Sequence, residues 1–371
     1  SPFAPSPMTP TAAPVNEPGK LSKHLDRVLR MAMFLVPFGV LGNLALSWFA
    51  TDHDVLRQLG SLDRRYLYLA IVLALFPWVT NTLRLLIWAR FIGHRVSFRD
   101  MFRVTLGAEL TSSVFPTSSG GEVFRWGMMV QKGIPQGQAA SIVTLGYIED
   151  LVFFAFAIPA SIIISEAWEL PVLRSIGREL RGKVLLVVVG LAVLIVLVRL
   201  LFRAILRGAL GEKARAWGLK FAARFKRRTR KTRHDFRTVK DLVITRGKSR
   251  FVLAVLITAV QWTCRYSVVT ALAYFFKAPV DPVLFFLLQW VIFTGMMFVP
   301  TPGASGGAEA MFYVVYQALL PAGLIGIVTA LWRMLTFYLS LALGSVIFLA
   351  FNIADARTRV RRRRGDVPER V

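Results

Sequence analysis

Two short runs set a carboxylate beside backbone-breaking residues inside apolar sequence. Phe115–Gly127 reads FPTSSGGEVFRWG and Val299–Phe312 reads VPTPGASGGAEAMF, so Glu122 with Arg125, and Glu309, each follow Pro, Thr and a Gly pair. A carboxylate in such a place can act as a general base or can hold a buried cation. A guanidinium offers a planar fork of donors that matches a phosphate. Nine ionisable groups fall in these apolar regions: Arg84, Glu109, Glu122, Arg125, Glu149, Asp150, Arg265, Glu309 and Arg333. A charge at membrane depth costs roughly 2.5–3.5 kcal/mol on insertion scales, so these side chains are expected in a bundle interior or a wet cavity. Four are cations and five are anions, which permits near-complete pairing.

Spacing sorts them further. Thr105, Glu109, Ser112 and Ser113 recur at helical spacing and predict one polar stripe. Glu122 and Arg125 share a face if helix resumes after Gly121. Helix starts after Gly121 and Gly307 would add free N–H groups and partial positive charge at the same depth. Arg125, Arg265 and Arg333 are therefore read as cations for an anionic headgroup, with Glu122 and Glu309 holding the chain breaks and balancing charge. Arg84, towards the end of its span, has the reach to snorkel. Glu149 and Asp150 diverge by ~100° on a helix, which turns only one of them inward. The plainer reading makes all nine structural ion pairs. The breaks are assigned to Pro116, Gly120, Gly121, Pro300, Pro302, Gly303, Gly306 and Gly307, and the Gly pairs on their own read equally as close-packing devices. Four scattered His and the single Cys264 offer no metal-ligand spacing, so no metal and no cofactor is expected.

The elements that must position these groups follow from hydropathy. The chain has 371 residues, is 55% hydrophobic, and has a mean hydropathy of +0.55, which describes an all-α polytopic membrane protein. Six spans are predicted: Met31–Ala50, Tyr66–Ala89, Gln138–Ser165, Val184–Phe202, Phe251–Phe276 and Ala322–Ile353. Two interrupted regions, about 98–131 and 282–320, carry the motifs. Residues 1–25 are expected to be disordered, with Ser1–Pro7 read as a cloning remnant ahead of a natural start at Met8. The rest divides into a membrane half at 26–202, a basic loop at 203–250, a second membrane half at 251–353 and a basic tail at 354–371.

Net charge is +25, but its distribution argues against nucleic acid. Residues 203–250 hold 17 Lys/Arg against three acids, and the tail from Asp355 holds seven Arg against three acids. Both follow apolar spans directly, as cytoplasmic segments do. With the basic N-terminus (Lys20, Lys23, Arg27 and Arg30) also inside, parity requires each interrupted region to add an even number of crossings. Its arms of about 15–18 residues are short for full crossings, which predicts two re-entrant hairpins. One opens from the cytoplasm and the other from outside, so 66–165 and 251–353 read as an inverted-topology repeat. WVTNTLR at Trp78–Arg84 against WTCR at Trp262–Arg265 is a weak echo of it.

The Pro followed by Gly-Gly-Glu and an Arg three residues on resembles the first signature of the lysylphosphatidylglycerol synthase transmembrane-region family. PTPGASGGAEAMF at Pro300–Phe312 looks like its second. The resemblance covers about Met31 to Ile353. It implies two re-entrant hairpins and a lipid flippase or scramblase in a bacterial or archaeal cytoplasmic membrane, moving a phospholipid or a polyprenyl-phosphate-linked lipid. Full-length synthases carry a soluble aminoacyltransferase domain after the membrane part. The chain ends at Val371 without one, so lysyl transfer from tRNA is not expected. Relatives often have Arg-Asp where Glu149-Asp150 stands, which leaves the preferred substrate charge open. The competing functions are a membrane-embedded lipid-modifying transferase using Glu122 or Glu309 as general base, and a non-catalytic anchor for a synthase. Expected partners are lipids with an anionic headgroup, a second copy of the chain or a lipid-synthesis enzyme, and no nucleic acid.

Overall fold

The computed structural model describes residues 62–114, 119–167, 239, 241–299, 301–321 and 323–363, and every regular element among them is helical. The expected spans Met31–Ala50 and Val184–Phe202, most of the basic loop, both chain ends, Pro116 and Pro300 lie outside the described residues.

Helix α1 (Arg64–Phe91) begins where the Asp63 carboxylate accepts the Arg65 N–H at 3.1 Å, and it stops before Gly93, whose φ is 97°. Helix α2 (Phe98–Val114) opens on a reciprocal cap: the Ser97 hydroxyl accepts the Asp100 N–H at 3.1 Å and donates to its carboxylate at 2.6 Å. Helices α3 (Ser119–Gln131) and α4 (Gln136–Ile164) follow, then α5 (Lys248–Tyr266) and α6 (Val268–Phe275), parted only by Ser267. Helix α7 (Pro282–Met296) has Pro at its first position and Asp281 as its cap, accepting from Val283 and Leu284 at 2.8 and 3.3 Å. A 3₁₀ turn at Pro302–Ala304 leads into α8 (Gly307–Tyr316). Helix α9 (Ile325–Arg333) runs through a π-helical segment at Met334–Tyr338 into α10 (Leu339–Arg363).

Four stretches among the described residues are long and apolar enough to cross a membrane: Arg64–Phe91, Gln136–Ile164, Lys248–Phe275 and Ile325–Phe351. They match the four expected spans that fall in this part of the chain. Between them lie two antiparallel helix pairs. In α2/α3 the Lys132 ammonium meets the Asp100 carboxylate at 2.5 Å at one end, and Gly121 abuts Ser112 and the Ala108 carbonyl at the other. In α7/α8 the Gln289 amide donates to the Tyr316 hydroxyl at 3.1 Å, which donates to the Phe285 carbonyl at 3.1 Å. With 17, 13, 15 and 10 residues, these helices rise about 15–25 Å, short of the ~30 Å of a hydrocarbon core.

Packing ties the pairs to the long helices through two cores. Trp78, Trp88, Met101, Leu106, Met129, Ile142 and Phe348 join α1–α4 with α10. Val268, Leu272, Phe285, Ile292, Phe312, Val328 and Trp332 enclose α7/α8. Helix α1 serves both, packing along α5 and α6. Since lipid tails are as apolar as Leu, close fit rather than expulsion from water must hold such helices together. Gly121 supplies it for α2/α3, because any Cβ there would enter Ser112 and the Ala108 backbone.

Candidate functional site

Eight of the nine ionisable residues line one cavity of about 570 Å³, walled by all four long apolar stretches, by α2 and α3, and by α7 with the turn that follows it. The ninth, Glu309, sits just behind the wall, paired with Arg333. Helix α2 also packs against the 3₁₀ turn at Pro302–Ala304, so the two motif regions meet beside the cavity.

Arg84 corrects the expectation of snorkelling. It is 5% exposed, and each of its nitrogens has an acceptor: Nε meets Glu149 at 2.7 Å, one terminal nitrogen meets Asp150 at 3.0 Å and the Gln261 amide oxygen at 3.3 Å, and the other meets the Gly146 carbonyl at 2.7 Å. Those acceptors hold the guanidinium in the interior. Glu149 and Asp150 therefore both turn inward, against the expectation that one would; the width of a guanidinium spans their divergence on α4. The Trp88 indole also donates to Glu149, and the Trp262 indole donates to Asp150 at 3.0 Å.

Arg333 is 1% exposed. Its Nε donates to Glu309 at 2.7 Å, a terminal nitrogen donates to the Gly303 carbonyl at 3.0 Å, and the guanidinium lies 4.7 Å from the Phe337 ring centre. The second Glu309 oxygen accepts the Gly306 N–H at 2.7 Å, capping α8. Gly303 and Gly306 have φ of 60° and 83°, and a side chain at Gly303 would enter the Phe337 ring. Gly307 is packed against Val299, and Pro302 opens the 3₁₀ turn. This second break is a built ionic knot.

The first motif region differs. Helix α3 resumes at Ser119 rather than after Gly121, so Gly120 lies in its first turn and Gly121 inside it. Arg125 meets Glu122 at 3.0 Å across one turn, while its Nε is buried without a hydrogen-bond partner. Of the polar stripe, Glu109, Ser112 and Ser113 line the cavity; Thr105 instead receives a hydrogen bond from Thr82 at 3.1 Å, between α1 and α2.

Arg265 is the loosest cation. It is about 29% exposed in its side chain and stands 3.6 Å from Glu109, beyond hydrogen-bond length. Its guanidinium sits 5.9 and 5.7 Å from the Trp262 and Phe293 ring centres. The cavity thus has two arginines held by several short hydrogen bonds, Arg84 and Arg333, and two held more loosely, Arg125 by one ion pair and Arg265 by none within hydrogen-bond length. Counting Glu309, five carboxylates face four guanidinium groups.

Sequence reasoning passed over Gln261 and Trp88. Both carry a signal in hindsight: Trp88 stands four residues after Arg84, and Gln261 four before Arg265, which puts each on its cation's helix face. The π-helical segment, whose Thr336 and Phe337 line the cavity, has no composition signature. Among the described residues no group of three or more His, Cys, Asp and Glu is arranged to hold a metal ion.

Long apolar helices enclosing a buried, charge-lined cavity define a multi-pass membrane protein. The chain belongs to the lysylphosphatidylglycerol synthase TM region family, whose model matches residues 31–344. A UPF0104 membrane protein of Archaeoglobus fulgidus is 24% identical over 327 residues, covering 83% of this chain and 94% of that protein.

Proposed function

We propose that the protein moves lipids between leaflets as a flippase or scramblase, the headgroup crossing through the cavity while the acyl or prenyl tails stay in the bilayer. One observation carries this reading. Eight of the nine ionisable groups line a single cavity of about 570 Å³, and the Arg265 guanidinium faces it with no partner within hydrogen-bond length. That volume suits a phosphate-bearing headgroup rather than a whole lipid. Arg125 and Arg265 would take the phosphate, and Arg84 and Arg333 would brace the walls. The helix pairs α2/α3 and α7/α8 act as re-entrant hairpins from opposite faces, related as an inverted repeat. In support, the open end of α2/α3 lies where Arg99 stacks on Phe351 and Arg250 on Phe91. The end that Asp281 caps lies instead near the start of α1, where Tyr66 meets Tyr274. The basic end is the cytoplasmic one in this reading, in the inner membrane.

Purified protein in liposomes tests the function. Headgroup-labelled phospholipid should exchange between leaflets and be recovered chemically unchanged. Recovery of a modified lipid would favour a transferase, and no exchange with no product would leave an anchoring role.

A further inference from the structure

We infer that Glu109 is a tethered competitor for the transported anion, holding Arg265 when the cavity is empty and displaced from it when a phosphate enters. The inference rests on the reading of Arg265 as a headgroup-binding cation and names what that cation does between turnovers.

Three features point to it. Among the described residues, the contact between Arg265 and Glu109 is the longest of the cavity's ion pairs, at 3.6 Å against 2.7 to 3.0 Å for those made by Arg84, Arg125 and Arg333. The two side chains are 29% and 28% exposed, both to the cavity, so an incoming oxyanion can reach the guanidinium without dismantling the wall. Arg265 also keeps its place without the carboxylate, since Trp262 and Phe293 flank it from α5 and α7. Glu309 is the contrast: both of its oxygens are spent, one on Arg333 and one on the Gly306 N–H.

The carboxylate and the phosphate offer the same chemistry to the guanidinium, two oxygens for its fork. Competition between them sets affinity and release together. An unopposed Arg265 would bind an anionic headgroup tightly and let it go slowly. Glu109 weakens the bound state and, by returning, completes the exit. The pair also links α2 to α5, so displacement breaks a contact between the first helix pair and a long helix that also lines the cavity.

The test measures binding of a short-chain soluble phosphatidylglycerol to the purified full-length protein, and leaflet exchange in liposomes as a function of lipid content. Glu109→Gln should bind the probe about five- to tenfold more tightly, with a matching fall in maximal exchange rate. In an Arg265→Gln background the same change should leave affinity unmoved, because the competition has lost its object. A wall residue of merely structural value would not raise affinity when removed. Unchanged or weaker binding by folded Glu109→Gln, or an equal gain without Arg265, overturns the inference even if the wild type exchanges lipid. If neither protein exchanges lipid but Glu109→Gln still binds more tightly, the competition stands and the transport reading falls.

Discussion

Arg84 and Arg265 are both guanidinium groups on long apolar helices, yet their surroundings give them different work. Arg84 has an acceptor on each nitrogen and a side chain almost sealed from the cavity; Arg265 has one distant carboxylate and two aromatic rings. Removing Arg84 leaves Glu149 buried against the Trp88 indole without its cation. Arg84→Ala should therefore lose about 3–5 kcal/mol of stability, read from unfolding of the detergent-solubilised protein. Arg265→Ala breaks only a long, part-exposed pair and should lose under about 1 kcal/mol in the same assay. At this scale the cost of burying charge singles out nine groups in the sequence, and eight of them line the cavity. It could not rank them. Which arginine is firmly held depends on partners such as Gln261, 177 residues away from Arg84, and the Gly146 carbonyl, which no spacing rule reaches.

The helix pairs are set by what glycine permits and by where caps fall. Gly121 lets α3 lie against α2, and Gly303 lets the second break adopt a left-handed turn beneath Phe337. Gly121→Val should push the α2/α3 pair apart and cost about 1–3 kcal/mol or more, by overpacking against backbone. Gly127, on the same helix, has open space around its Cα, so Gly127→Ala should be neutral or stabilise by up to about 1 kcal/mol. Thermal unfolding of the two variants side by side checks the contrast. The long helices were legible because twenty or more apolar residues in a row leave few alternatives, and the breaks because Pro and paired Gly interrupt them. The start of α3 was misplaced by three residues: Ser119 already adopts helix, and Gly121 serves packing against α2. The π-helical segment after Arg333 widens one turn of an otherwise unbroken apolar run, and such a turn leaves no pattern to read.

For the whole molecule, the proposed reading makes orientation decide which leaflet each helix pair would open to. The basic end of the bundle is exposed around Lys248, Ser249 and Arg250. In a Cys264→Ala background, a cysteine placed by Ser249→Cys should resist impermeant thiol reagents added outside intact cells and react after permeabilisation. Ready labelling from outside would invert the topology, placing the α2/α3 opening on the external face. Charge distribution alone predicted this arrangement, since 17 cations in one loop have little choice of side.

Central to the account is that lipid headgroups pass through the charged cavity rather than around the protein, and Arg265 is where that route is most open to test. Leaflet exchange of a headgroup-labelled phospholipid, measured in liposomes carrying equal amounts of folded, monodisperse protein, compares wild type with Arg265→Ala and Arg265→Lys. Loss of charge-assisted contacts worth about 3 kcal/mol predicts exchange about a hundredfold slower for Arg265→Ala. Arg265→Lys should recover part of the rate, because a point charge cannot reproduce the fork. Exchange by folded Arg265→Ala at the wild-type rate would contradict the account and move the path outside this cavity.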